Sequence, residues 1–465
     1  MIINNLPNKE ILSLIGDSAD SINIECFVVG GYVRNYFLNK KTKDIDIVCN
    51  KKGIELAQLI AKTLKRKIVV YKNFGTALVK SDKYDIEFIT ARTESYNQDS
   101  RKPHIKLGTM EDDQRRRDFT INAMFIGLDK KNKYKLIDPF NGLNDLNKGI
   151  IKTPLNPDNT YSDDPLRMIR AIRFASQLNF KIENNSFNSI QRNNERLKII
   201  SNERIIEEFN KILLSEKPSI GLKLLFDANL LTIFFPELVN LQGKETINNH
   251  THKDNFYHTL QVVDNISKQT NNIWLRWAAL LHDIAKPQTK KYDSQNGWSF
   301  HGHEYLGSKL VPKIFRRLKL PLNENMKYVQ KLVLLHLRPI GLAKDNITDS
   351  GYRRLIVDAG EDIDDLFTLC IADITSKNKE KVKKYLNNLN TVKQKTEKVE
   401  EKDQLRNFQP PISGELIMKY FNLKPSKLVG QIKWEIREAI LNGDIKNNFE
   451  EAERHMIKIG KKMNI

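Results

Sequence analysis

A chain of 465 residues, 40% hydrophobic and with only 15 prolines, is too long for one small core and too apolar for wholesale disorder, so two to four domains are expected. The formal charge of +19 favours a polyanionic partner, because each Lys or Arg set against a phosphate releases counterions; a Lys- and Asn-rich compositional bias would give the same sum. Three distant cysteines, Cys26, Cys49 and Cys370, exclude a disulfide framework and a zinc ribbon.

No apolar run reaches membrane-spanning length, and residues 1–20 lack the basic start and apolar core of a signal peptide. A cytoplasmic protein with no membrane contact is therefore expected. Up to about Asn156, short β-rich runs alternate with helical stretches. Cys26–Val29, Ile45–Cys49, Ile68–Tyr71, Ala77–Val79 and Ile86–Thr90 are strand-length and apolar. From Asp163 onward almost everything has helical periodicity. The expected fold is α+β, a small mixed-sheet head followed by a long all-helical body. Four segments are expected: a head over 1–156, a helical neck over 157–245, a histidine-rich domain over 246–375 and a helical tail over 376–465. Residues 376–404 are dense in mixed charge and read as a solvated helix or linker. After Pro411, Leu416, Ile417, Phe421, Ile432, Trp434 and Ile436 are enough to pack together.

In the head, Cys26-Phe-Val-Val-Gly30-Gly31-Tyr-Val-Arg34 reads as strand, double glycine, helix. Such glycines either make a tight turn or let the backbone approach a phosphate. Ten residues beyond Arg34, Asp44-Ile45-Asp46-Ile47 places two carboxylates on one strand face and two isoleucines on the other. Acids held that close repel unless a cation lies between them, and Mg²⁺ is the usual answer. Asp85 and Glu87 on a later strand are both candidates for a third acid; three carboxylates could hold two Mg²⁺ ions for phosphoryl transfer. In the body, Asp164 and Arg167 are three residues apart. Asp164-Pro165 is also a common helix start, with Asp as the cap. Arg170 and Arg173 continue the stripe and could bind phosphate or pair with acids.

Seven of the nine histidines lie between His250 and His336. His282-Asp283 follows the apolar run Trp274–Leu281. Adjacent His and Asp diverge by about a third of a turn, so they share a metal only near a helix end. Imidazole plus carboxylate suits a divalent transition metal. His252, His301, His303 and His336 add further potential ligands.

Several motifs, in order, resemble those of the class II tRNA nucleotidyltransferases and bacterial poly(A) polymerases. They are Gly30-Gly31-Tyr32-Val33-Arg34…Asp44-Ile45-Asp46, Arg116-Arg117-Asp118-Phe119-Thr120-Ile121-Asn122, Asp138-Pro139-Phe140-Asn141-Gly142, Asp163-Asp164-Pro165-Leu166-Arg167…Arg170…Arg173, and Ser201-Asn202-Glu203-Arg204. The resemblance implies a nucleotidyltransferase that adds C, C and A to the 3′ end of tRNA from CTP and ATP, without a template. A poly(A) polymerase or a partial adder shares the same head. It implies Asp44, Asp46 and Glu87 as the catalytic, Mg²⁺-holding acids. It further implies Gly30, Gly31, Arg34, Arg117, Asp118, Asn122, Asp164, Arg167, Arg170 and Arg173 as nucleotide-binding residues, with Asp164 and Arg167 choosing the base. Asn35 and Asp163 stand where the family often has Asp and Glu. His258, His282, Asp283 and Asp373 resemble the HD superfamily of metal-dependent phosphohydrolases, which implies action on RNA ends; a hydrolase with the head only positioning RNA is the reading from another class.

Overall fold

Alternation of isoleucine with acid along residues 44–47 opens a strand with two unlike faces, and the head is built around it. The computed structural model describes residues 1–72, 75–97, 100–247, 250–251, 254–343, 347–376, 378–403, 405–406 and 408–465, with 95–97, 100–103 and 250–251 as backbone alone. His252 lies outside the described residues. The chain divides into two units, Met1–Pro236 and Glu237–Ile465.

In the first unit the order is α1 (Lys9–Ser21), β1 (Cys26–Val29), α2 (Gly31–Phe37), β2 (Asp44–Cys49), α3 (Gly53–Thr63), β3 (Ile68–Tyr71), β4 (Thr76–Lys80) and β5 (Asp85–Thr90). A hairpin of β6 (Arg92–Asn97) and β7 (Ser100–Leu107) follows, then α4 (Met110–Arg115), β8 (Phe125–Gly127), β9 (Leu136–Ile137) and α5 (Gly142–Lys148). Seven strands form one mixed sheet in the order β3-β4-β5-β2-β1-β8-β9. Only β2 and β5 pair in parallel within it. A parallel pair needs a crossover, which α3, β3 and β4 supply. The five runs expected as strands all fall within β1–β5.

The unit continues through α6 (Pro157–Asp163), α7 (Leu166–Leu178), α8 (Asn184–Asn193), α9 (Asn202–Leu213) and α10 (Pro218–Asp227). Asn156 accepts from the Asp158 N–H and Pro157 opens α6, a start the sequence announces. Along α7, Met168, Ile169 and Ile172 are fully buried against α9 and α10. Removing each from water contributes about 1.5–3 kcal/mol.

The second unit is mainly helical, but it contains β pieces that helical periodicity did not foreshadow. Lys291–Asp293 pairs antiparallel with Gly297–Ser299. Asp293 Oδ1 accepts from the Gln295 and Asn296 N–H groups, and Gly297 takes φ 73°. The Asn-Gly dipeptide was the available signal, since such turns need positive φ. Residues 379–403, expected as a solvated helix or linker, form one helix that buries Leu389, Val392, Thr396 and Val399 along one side. In the tail, Ile417, Ile432, Ile436 and Met456 form a core against which Leu416 and Phe421 pack. Trp434, expected in that core, is 59% exposed. Ile432 and Ile436 share a face at i and i+4, and the residue midway between them points elsewhere. No helix among the described residues is long and apolar enough to cross a membrane.

Candidate active site and metal centre

The parallel register of β2 and β5 sets Asp44 opposite Asp85 and Asp46 opposite Glu87. Ile45, Ile47, Ile86 and Phe88 take the other face and are wholly buried. The four carboxylates thus share the open face, as alternation along each strand requires. Asp85 sits exposed at the start of β5, while Glu87 is half-buried beside Asp46. Burial raises the Asp46 carboxyl above the usual range, with Asp44 adding to the rise and Arg117 opposing it. Burial, then the Asp46 charge, also raises Glu87. Hard oxygen donors that repel one another in a partly desolvated cleft fit a divalent cation such as Mg²⁺.

Gly30 carries the chain from β1 into α2 with φ 67°. A β-carbon there would lie 3.1 Å from Arg117 Nη1 and 3.3 Å from Asp46 Oδ2, so any side chain would crowd both groups on a backbone that favours glycine. Arg117 donates to Asp113 from Nε (3.2 Å) and Nη2 (3.0 Å), and its guanidinium lies 4.9 Å from the Phe125 ring centre. Asp113, fully buried, also pairs with Arg116. Sequence reasoning passed over this anchor, although its i+3 and i+4 spacing to the two arginines just past the end of α4 was visible.

From the head a chain of hydrogen-bonded polar and charged groups runs to α7. Arg34 donates to Asn122 Oδ1 (2.8 Å) and to Asn35 Oδ1 from Nε (3.2 Å) and Nη2 (2.9 Å). Asn35, the departure from the family pattern, therefore still orients Arg34. Burial lowers the Arg34 guanidinium to about 10. Asn122 Nδ2 donates to Asp118 Oδ1 (2.9 Å), and Arg170 grips Asp118 Oδ2 with Nε (2.9 Å) and Nη2 (2.6 Å). Burial alone would raise the Asp118 carboxyl, but Arg170 and Asn122 hold it down at about 2. Arg173 Nε lies 2.8 Å from Glu208 Oε2 of α9, and its guanidinium sits 4.1 Å from the Phe174 ring centre. Arg170 and Arg173 thus pair with acids.

Asp164 precedes α7 in extended conformation, and its Oδ1 accepts from the Leu166 N–H (3.2 Å), as a helix cap does. Arg167 is 9% exposed and donates to the Arg116 carbonyl (2.6 Å). The two side chains stand at the start of the helix carrying the arginine stripe.

In the second unit the expected ligands come together. His258 comes from helix Asn255–Ser267, Asp373 ends helix Ile363–Asp373, and His282 caps the C-terminus of helix Ile273–Leu281, the helix-end position that adjacent His and Asp need to converge. His258 Nε2 lies 2.9 Å from Asp373 Oδ1 and 3.4 Å from Asp283 Oδ2. His282 Nε2, buried, is 3.2 Å from Asp283 Oδ2 and 3.4 Å from Asp373 Oδ1, with hydrogen-bond geometry to neither. On the other side of Asp283, Oδ1 faces His303 Nε2 (3.2 Å) and His336 Nε2 (3.9 Å). Asp283 thus belongs to two potential ligand groups, His258–His282–Asp283 and Asp283–His303–His336.

The tautomers follow from the far side of the rings. Nδ1 of His282, His303 and His336 contacts the carbonyls of Ala279 (2.8 Å), Phe300 (2.7 Å) and Val333 (2.7 Å). A carbonyl only accepts, so Nδ1 carries the proton and Nε2 is directed inward, the arrangement that orients metal-binding imidazoles. His258 Nδ1 meets Thr375 Oγ1 at 2.8 Å. Burial would lower His282, but Asp283 and Asp373 raise it to about 10. The two acids call for positive charge at this point, which a proton or a metal cation satisfies equally. Lys286 Nζ, 2.6 Å from Asp283 Oδ2, is a further cation the sequence reading did not single out.

These features can be set beside known proteins. A model described as the poly A polymerase head domain matches residues 26–152, one for a probable RNA and SrmB-binding site of polymerase A matches 179–241, and an HD-domain model matches 255–378. The CCA-adding enzyme of Ligilactobacillus salivarius is 38% identical over 234 residues, 50% of this chain and 56% of that protein. The chain thus spans about half the length of such relatives. The A-adding tRNA nucleotidyltransferase of Deinococcus radiodurans is 31% identical over 349 residues, 72% of this chain and 76% of that one. The fold is shared with a Bacillus stearothermophilus CCA-adding enzyme solved in complex with CTP, at TM-score 0.70 and 20% identity over 98% of this chain and 99% of that one. It is also shared with a Thermotoga maritima CCA-adding enzyme complexed with tRNA, at TM-score 0.60 and 20% identity over 99% and 100%. With three quarters of the Deinococcus protein matched, a poly(A) polymerase-type head and the HD constellation in place, the chain belongs to the tRNA nucleotidyltransferase family and carries an HD domain.

Proposed function

We propose that the protein adds C, C and A to the 3′ end of tRNA, taking CTP and ATP in turn without a nucleic-acid template. The observation that carries this reading is the row of carboxylates on β2 and β5 beside the Gly30 turn, joined through Asn122 and Asp118 to the arginines of α7. Asp44, Asp46 and Glu87 hold the reacting phosphates' counter-charge. Mg²⁺, when bound there, supplies Lewis acidity to the attacking 3′-hydroxyl and to the nucleotide phosphates. Gly30 and Gly31 let the backbone reach the triphosphate, and Arg34, Arg117 and Asn122 position phosphate and ribose. Asp164 accepts from the exocyclic amine of C or A, while Arg167 donates to ring acceptors. U and G would leave buried groups mispaired, at roughly 1–3 kcal/mol each. The organisation that serves this is a head over 1–156, a neck over 157–245, an HD domain over 246–375 and an RNA-gripping tail over 376–465.

The test uses tRNA transcripts ending before C-C-A, after C and after C-C, each offered CTP and ATP singly and together with Mg²⁺. Growth that stops at C-C-A is expected. Extension of the C-C transcript alone would make the protein an A-adding enzyme, like its Deinococcus relative, and long tails from ATP alone would make it a poly(A) polymerase. Asp44→Ala should reduce addition to background while tRNA binding on a filter stays; unchanged addition would remove the proposed metal site.

A second activity rests on a separate observation, the inward-facing Nε2 atoms around Asp283. We propose hydrolysis of phosphate esters at RNA ends, with His258, His282, Asp283 and Asp373 holding a divalent transition metal. On a 2′,3′-cyclic phosphate, water adds to phosphorus, the P–O3′ bond breaks, and the freed 3′-oxygen takes up a proton. That restores the hydroxyl which addition needs.

A further inference from the structure

A cavity of about 350 Å³ opens beside the histidine cluster. Its volume lies in the range of small-molecule sites. Ile340, Ala343, Ile374 and Leu389 give it apolar walls, and Tyr385 and Asn388 stand at its side. Two further lining residues tie it to the ligands already described. Asp373 lies 2.9 Å from His258 Nε2, and Thr375 Oγ1 lies 2.8 Å from His258 Nδ1. The cavity therefore meets the ligand cluster at Asp373, with Thr375 beside it, and is otherwise lined mainly by apolar and aromatic groups.

The far wall comes from helix Lys379–Asp403, which begins past the residues matched by the HD-domain model. Tyr385, Asn388 and Leu389 stand at i, i+3 and i+4, so they share one face of that helix. Leu389 is buried, whereas Tyr385 keeps 48% of its surface exposed. An exposed ring offers a π-face, and an amide offers both donor and acceptor. A phosphate at the cluster with a flat, edge-polar, apolar-faced group beyond it describes a nucleotide.

We infer that this cavity is the nucleoside subsite of the HD centre, in which the ring of Tyr385 stacks on the base and Asn388 meets its polar edge, while the 2′,3′ side of the ribose is turned to Asp373. The subsite rests on the proposed hydrolase reading, and it takes a nucleoside phosphorylated at the 2′ or 3′ position. A free nucleotide and an RNA terminus share that chemistry.

The test is calorimetric binding of adenosine 2′-monophosphate to the full chain loaded with Ni²⁺, with inorganic phosphate as the comparison probe. Base–aromatic stacking predicts about tenfold weaker nucleotide binding in Tyr385→Ala, near-normal binding in Tyr385→Phe, and unchanged phosphate binding in both. Unchanged nucleotide affinity in Tyr385→Ala, or an equal loss for inorganic phosphate, overturns the subsite. Tyr385-dependent binding in a protein that cleaves no phosphodiester would leave the subsite standing and remove the hydrolase reading. Cleavage of bis(p-nitrophenyl) phosphate without Tyr385-dependent nucleotide binding would do the reverse. An oligonucleotide ending in a 2′-phosphate that binds more tightly than the mononucleotide, with the same Tyr385 loss, assigns an RNA end; equal affinities assign the free nucleotide.

Discussion

At Gly30 two constraints coincide, a positive φ and the distances of 3.1 and 3.3 Å at which an added β-carbon would meet Arg117 and Asp46. Gly30→Ala should therefore cost about 1–3 kcal/mol in backbone strain and push the acid or the arginine aside as well. Urea unfolding and primer extension would both register it, and a variant of unchanged stability and rate would show that the turn relaxes freely. Asp118 works through charge instead. Its carboxyl titrates near 2 rather than 3.8, so its folded form is the depressed one. The stability it lends is present above about pH 4 and is lost as pH falls towards 2. Its size is roughly 2 kcal/mol. Asp118→Asn should lower stability at pH 7 by a comparable amount and flatten the acid limb of the stability curve between those values.

Among the elements, β2 and β5 were legible because alternating Ile and Asp permits only one arrangement, with apolar residues beneath and acids above. The alternation alone left Asp85 and Glu87 open, since pairing between strands some forty residues apart depends on the crossover between them; only the family resemblance singled out Glu87, the residue that the register sets opposite Asp46. On α7 the stripe of Arg167, Arg170 and Arg173 could be read, but its partners could not. Asp118 and Glu208 are distant in sequence, and nothing local marks them as acceptors. The helix of residues 379–403 is the largely solvated helix its composition suggests, but its buried side was not legible, for a related reason. Its buried Leu389, Val392, Thr396 and Val399 are spaced three or four apart inside dense charge, and composition conceals so narrow a seam. The helix ends bearing His258, His282 and Asp373 lend themselves to a direct check. Ni²⁺ at 100 times its dissociation constant should stabilise the second unit by about 2.7 kcal/mol, and Asp283→Asn should lose most of that gain while nucleotide addition continues. Failure of addition in that variant would mean that the two sites are not separable.

Across the whole molecule, the three cysteines are distributed unevenly over the two units. Cys26 and Cys49 face each other on β1 and β2 beneath the acid row, and Cys370 lies in the second unit, its Sγ donating to the His336 carbonyl at 3.0 Å. None is exposed, and burial pushes every thiol upward, Cys49 to about 12. A thiol that is both shielded and protonated cannot attack a disulfide reagent until its surroundings open. The protein therefore carries two built-in clocks. Labelling of Cys26 and Cys49 by a chromogenic disulfide times the opening of the sheet, and labelling of Cys370 times the opening of the helices around the histidines. Asp118→Asn should quicken the first clock and leave the second alone, and Asp283→Asn in the presence of Ni²⁺ should do the opposite.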